Sequence, residues 1–168
     1  MLKQNYTVHP WHGISPGLNA PESVTAFIEI VPTDTVKYEI DKATGFLKVD
    51  RPQKYSNVLP CLYGFIPQTY CGEKIGAYCG EKTGRTGIQG DGDPLDICVF
   101  TERNITHGNI IVPAIPIGGF RMIDGGQADD KIIAVALNDI SVSHINDIDE
   151  LPPHTTIEMQ RFFEDYKI

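Results

Sequence analysis

Three carboxylates fall within six residues at Gly90-Asp91-Gly92-Asp93-Pro94-Leu95-Asp96, just ahead of an apolar run, Ile97-Cys98-Val99-Phe100. Two like charges about 4 Å apart repel by roughly 4 kcal/mol at an effective dielectric near 20, so a fold that gathers three needs a compensating partner. Divalent cations supply it, as does a proton shared or accepted by one of the acids. Gly92 removes side-chain bulk and Pro94 stiffens the bend, so the acids can converge. A calcium loop is the first chemistry to test. With Asp91 as position 1, Asp93 and Glu102 fall at positions 3 and 12, but Asp96 stands where glycine is required and Leu95 where a ligand is. The flanks also read as strand, so the EF-hand fails. Taken alone, the segment is equally well explained as an Asp-rich surface turn.

The segment has company. Glu29 alternates with apolar residues in VTAFIEI (24–30), and Lys37 and Glu39 share one face of VKYEID (36–41). Arg51 closes Asp50-Arg51-Pro52, Asp124 ends one apolar run, and Asp129-Asp130-Lys131 opens the next. Tyr166 and Lys167 lie at the chain's end. Each alone suits a solvated sheet face or a helix dipole. Together they look like carboxylates for metals interleaved with Lys, Arg and Tyr for a phosphate.

The elements that must position these groups are mostly strands. Val24, Ala26, Ile28 and Ile30 alternate with Thr25, Phe27 and Glu29; VKYEID and FLKVD (46–50) form a hairpin across Thr44-Gly45. LDICVF (95–100), NIIVPAIPIG (109–118), GGFRMID (118–124) and KIIAVAL (131–137) add β segments, with Pro113 and Pro116 implying a bulge or an edge in the second. Only the end reads as helix: Thr155 and Glu158 resemble a capping box, and Met159, Phe162, Phe163 and Tyr166 form an apolar stripe. Many short strands with one late helix predict a small β-barrel with helical decoration.

Residues 68–90 interrupt this pattern with a duplicated unit, YCGEKIG (70–76) and YCGEKTG (78–84), which is expected to form a Gly-rich hairpin or flap. Such a hairpin could set Cys71 opposite Cys79, though a disulfide is the less favoured reading. Its Lys74, Lys82 and Arg85 could assist an anion or simply be solvated. None of the four cysteines (Cys61, Cys71, Cys79, Cys98) forms a C-x2-C zinc spacing, and reduced cytoplasmic thiols are expected. His9 and His12, flanking Pro10-Trp11, are a weak ligand signal and are expected to be structural.

With 168 residues, 14 basic and 22 acidic, the chain has the size of one domain and a formal charge of −8. That excess disfavours nucleic acid and polybasic membrane binding, and no apolar run is long enough to span a bilayer. The N-terminus shows no secretory pattern.

In order, IEI (28–30), KYEIDK (37–42), VDR (49–51), YGFI (63–66), GDGDPLD (90–96), D-x4-D-D-K (124–131) and FFEDYK (162–167) strongly resemble the family I soluble inorganic pyrophosphatases. The resemblance implies an α+β, predominantly β fold: a five-stranded OB-like β-barrel with flanking helices, one domain over 1–168 with 68–90 as an inserted flap. It implies hydrolysis of pyrophosphate to two orthophosphates with Mg²⁺, three or four ions per site with substrate, in a cytoplasmic homo-oligomer, a hexamer. By position it implies Asp91, Asp96 and Asp129 as ligands of a principal metal, with Asp96 bridging to a second. Asp124 and Glu39 would serve further metals, and Glu29 would order metal-held water. Asp93 would be the general base to a metal-bridging water. Lys37, Arg51, Tyr63, Lys131, Tyr166 and Lys167 would hold phosphate.

Leu59 and Gly125 depart from the family, which often has a tyrosine and an acid there, and the family generally continues past the Tyr-Lys pair into another helix, so a truncated C-terminal helix is expected. A phosphohydrolase for nucleotides or polyphosphate ranks below pyrophosphate, since no nucleobase pocket is legible. An OB-like module that had lost activity would have lost part of the Asp91/Asp93/Asp96 set or of the Lys37, Arg51 and Lys167 clamp, and all are present.

Overall fold

The computed structural model describes residues 7–53 and 58–166. In chain order the elements are β1 (Val24–Ile30), β2 (Val36–Ile40), β3 (Leu47–Pro52), β4 (Leu62–Phe65), α1 (Glu73–Thr83), β5 (Gln89–Gly90), β6 (Asp96–Phe100), β7 (Ile110–Phe120), β8 (Ile123–Asp124), β9 (Gln127–Ala128), β10 (Lys131–Ala136) and α2 (Pro153–Tyr166). Strands β1, β4, β6, β10 and β7 close into a five-stranded barrel, an OB-like frame, with β2–β3 and a small β5–β9–β8 sheet beside it.

Strand β1 alternates as its sequence predicts, yet both of its faces are covered. Val24, Ala26 and Ile28 pack inside the barrel with Leu62, Ile97, Val99 and Ala134. Phe27 points the other way, against Trp11, Ile40 and Phe65. The pairing to β4 shifts between Ile28↔Gly64 and Ile30↔Tyr63. Gly64 is required there, since a Cβ would stand 1.7 Å from the Phe27 carbonyl oxygen.

The expected hairpin forms as β2–β3, with an extra residue between Lys37↔Arg51 and Tyr38↔Val49 that turns Asp50 toward Lys37. The runs at 109–118 and 118–124 differ from expectation. Most of their length is one 11-residue strand, β7, which pairs with β1 over residues 110–114 and with β10 over residues 114–120, so each half is paired along one side, as a partial edge is. A register shift opposite Ile133–Ala134, beside Pro116, is the predicted bulge, whereas Pro113 sits in regular register opposite Thr25.

Two local expectations are corrected. The 70–84 duplication is not a hairpin but carries helix α1, capped by Gly84 at φ 71°, whose N–H reaches the Gly80 carbonyl at 2.9 Å. Glycine inside a helix costs about 1 kcal/mol against alanine, which is why the repeat reads as loop. Packing reverses that, because Gly76 lies so close to the Gln89–Gly90 backbone that a Cβ would sit 2.9 Å from it. Cys71 and Cys79 are both free and buried, so no disulfide joins them. The capping box also fails: α2 starts at Pro153, the favoured first helical residue, which puts Thr155 inside it, and Glu158 pairs with His154 at 2.9 Å. The apolar stripe does hold, with Met159, Phe162, Phe163 and Tyr166 all buried in the second half of the core.

Candidate active site

Parallel pairing of β10 with β6 sets Lys131 beside Asp96. The Lys131 ammonium, 1% exposed, donates to Asp96 Oδ2 at 2.6 Å and to Asp129 Oδ1 at 2.8 Å. It also faces the rings of Tyr63 and Phe163 at 5.5 and 5.4 Å. Burial alone would lower its pKa, but Asp96 and Asp129 overcome this and hold it well above the usual lysine range. Asp96 is pushed up by burial, against the pull of Lys131 and of a hydrogen bond from Tyr63.

The loop ahead of β6 is built by its own side chains and by the segment before α1. Asp91 Oδ1 accepts from the Asp93 amide at 3.0 Å, and Gly92 takes φ 75°. The Gly92 amide donates to Cys71 O at 2.9 Å, while the Cys71 amide donates to Asp93 O at 2.8 Å. Thr69 Oγ1 accepts from the Leu95 amide at 2.8 Å. Burial and the neighbouring acids raise the Asp91 carboxyl. The start of the insertion thus buttresses the acid loop.

Glu29, on the outward face of β1, is buried beneath the hairpin and accepts from the Ile40 amide at 2.8 Å. Desolvation, then Asp96, pushes its carboxyl up to about 8. On the hairpin, Lys37 bonds to Glu39 at 3.3 Å and Asp50 at 2.9 Å, with its ammonium 5.3 Å from the Tyr166 ring. Burial works against the Lys37 charge, yet Tyr166, Asp50 and Glu39 raise its pKa overall. Tyr166 arrives on the last turn of α2, and burial lifts its phenol to about 12 despite Lys37 and Lys131. Arg51 donates through Nη2 to the Tyr166 carbonyl and faces the Tyr166 ring at 5.1 Å.

A cavity of about 490 Å³ gathers Glu29, Lys37, Glu39, Tyr63, Asp91, Asp93, Asp96, Asp129, Lys131 and Tyr166 on its walls. Arg51 and Asp124 do not line it. Arg51 backs Tyr166 from outside, and Asp124 sits exposed on β8. Lys167 lies outside the described residues. The cavity also holds groups that spacing did not single out. Lys42, at its mouth, forms an ion pair with Asp93. It lies past the alternating part of β2, where no periodicity marks it. Asp50, paired with Lys37, and Asp130 stand beside the cavity, not on its walls. Asp130 is 3.7 Å from Arg121, and its Oδ1 is buried without a hydrogen bond among the described residues.

An acid loop opposed by lysines and buried phenols, set against an OB-like barrel, defines a protein that handles a small, highly charged ligand. Comparison with known proteins agrees. Residues 26–168 match the family model for inorganic pyrophosphatase. An inorganic pyrophosphatase of Chlamydia caviae is 58% identical over 160 residues, an alignment covering 95% of this chain and 74% of that protein. A soluble inorganic pyrophosphatase of Oryza sativa is 42% identical, covering 99% and 69% respectively. The solved inorganic pyrophosphatase of Thermus thermophilus superposes with a TM-score of 0.79 at 31% identity, covering 95% of this chain and 80% of that one. The chain belongs to the inorganic pyrophosphatase family, as the order of its motifs implied.

Proposed function

We propose that the chain hydrolyses inorganic pyrophosphate to two orthophosphates with Mg²⁺, using Asp93 as general base. The observation that carries this reading is the confrontation, in one cavity, of Asp91, Asp93, Asp96 and Asp129 with Lys37, Lys131, Tyr63 and Tyr166. Water attacks one phosphorus, Asp93 accepts the proton released, the P–O–P bond breaks and the second phosphate leaves with the bridging oxygen.

The residues present fit a hard cation. Among the described residues, no three His, Cys, Asp or Glu side chains are gathered closely enough to hold a metal ion as they stand. The donor set is nevertheless all-oxygen, as Mg²⁺ prefers. Burial raises both Asp91 and Asp96, and neighbouring acids add to it, Asp93, Asp96 and Asp129 for the first and Asp129 for the second, which marks a cluster that gains from an added cation. Asp91, Asp96 and Asp129 would hold the principal metal, Asp96 being shared with a second; Glu39 and Asp124 would serve others. Bound Mg²⁺ would neutralise substrate charge and make water more acidic. Lys37 and Tyr166 hold phosphate oxygens from the hairpin side, with Arg51 steadying Tyr166 and Lys167 following it in sequence. Lys131 holds Asp96 and Asp129 together beside Tyr63. Glu29, beneath the hairpin, would order water held by the metals. The resemblance further supports one domain, acting as a homohexamer in the cytoplasm.

Phosphate release from pyrophosphate with Mg²⁺, with and without chelator, beside Asp93→Ala, tests the reading. Loss of release in chelator and a fall of about 10²-fold or more in kcat for Asp93→Ala are expected. Equal release by both proteins would remove Asp93 from the reaction. No release by the parent at any Mg²⁺ concentration would favour a barrel retained for binding alone.

A further inference from the structure

The segment His9-Pro10-Trp11-His12 carries no ligand set, yet it touches both sides of the cavity. Trp11 is buried, and its indole N–H donates to the Thr69 carbonyl at 2.7 Å. The Gln68 amide donates to Trp11 O at 2.8 Å. These bonds reach the acid loop, because Thr69 Oγ1 also receives the Leu95 amide. On the other side, His9 Nε2 donates to the Lys42 carbonyl at 2.7 Å, which leaves Nδ1 to accept from the Trp11 amide at 3.1 Å. Gly45, in the hairpin turn, lies so close to Pro10 that a Cβ would stand 2.8 Å from its ring. The Lys42 ammonium rests 5.9 Å from the centre of the Trp11 ring and reaches Asp93.

Lys42 is therefore held at its backbone by His9, and at its ammonium by the Trp11 ring face and the Asp93 carboxylate. A lysine this exposed would ordinarily sample many rotamers, and a surface ion pair would contribute little. Here the indole face narrows that freedom, so the ammonium stays over the cavity mouth.

We infer that Lys42, seated on Trp11, is a positioning residue for Asp93, holding its carboxylate toward the cavity while the 9–12 segment ties hairpin to acid loop. This rests on the reading of Asp93 as the base. Lys42 has no part in binding substrate in this scheme, so its loss should act on turnover and not on affinity.

Steady-state pyrophosphate hydrolysis at saturating Mg²⁺ would be measured for Lys42→Met, Lys42→Arg, Trp11→Phe, Asp93→Asn and Lys42→Met/Asp93→Asn, with the unfolding midpoint of each. Lys42→Met is expected to lower kcat by about tenfold with KM changed by less than about twofold, and Lys42→Arg to recover most of the loss. Trp11→Phe, which keeps a ring but loses the bond to Thr69, should fall between them. In the Asp93→Asn background, Lys42→Met should change kcat by less than about twofold, because the residue it positions is already disabled. Three outcomes overturn the inference: parental kcat in Lys42→Met, a rise in KM at constant kcat, or the same tenfold fall in the Asp93→Asn background. If Asp93→Asn keeps parental kcat, the general-base reading fails first. If Asp93→Asn is inactive while Lys42→Met is unimpaired, only the inference about Lys42 fails.

Discussion

Glu29 should make the metal-free protein lose stability as pH rises. Its carboxyl is buried under the hairpin, and desolvation with the Asp96 charge lifts it from 4.5 to about 8. A raised acid binds its proton more tightly folded than unfolded. Between pH 4.5 and 8 the native state therefore carries the extra proton, and stability falls with rising pH across that window. Each pH step in that window is worth about 1.4 kcal/mol, so the loss approaches about 5 kcal/mol by pH 8. Glu29→Gln removes the titration yet keeps an oxygen to accept the Ile40 amide, now at 2.8 Å. Thermal unfolding in chelator would be followed at pH 5 and pH 8 for both proteins. Near pH 5 they should melt alike. At pH 8 the variant should melt higher by roughly 10 °C, since each kcal/mol moves the midpoint of a chain this size by about 2–4 °C. A parent that holds its midpoint against the variant from pH 5 to 8 would show Glu29 ionised throughout and refute the reasoning.

Two further outcomes follow from packing. Gly64→Ala should lower the unfolding midpoint by several degrees, because its Cβ would meet the Phe27 carbonyl oxygen at 1.7 Å between two paired barrel strands; overpacking typically costs about 1–3 kcal/mol, and a parental melting curve would show the barrel can part there. All four thiols are buried, and Cys71 is pushed up to about 12 by burial and the nearby carboxylates. A thiol reagent at pH 8 should modify the native protein slowly and all four cysteines once denaturant is added; fast modification of Cys71 in the native protein would contradict its placement.

Much of the barrel was legible because its strands obey a local rule. In β1 and β2 the alternation assigns each side chain to a face, and the stripe on α2 assigns Tyr166 to the core. The acid loop was legible for a different reason: alone, Asp91, Asp93 and Asp96 read equally as an Asp-rich turn, and it was the ordered company of Glu29, Lys37, Glu39, Arg51, Asp124 and Asp129 that gave them a chemistry. Residues 70–84 show where local rules stop. Two internal glycines argue against helix by propensity, and only the close approach of Gly76 to the β5 backbone, from a distant part of the chain, makes α1 the better solution.

The pairing of charges lay beyond the sequence altogether. Nothing local tells that Lys131 meets Asp96; the parallel register of β10 on β6, 35 residues away, does. Nor does anything local tell that Lys42 meets Trp11, because a cation at a hairpin turn and an aromatic near the N-terminus have no periodicity to betray a shared contact. Residue types and their local spacing set which charges and donors the chain has to offer. The tertiary structure decided which charges face each other and which are buried, because Coulomb and desolvation energies depend on distances that only the closed barrel sets.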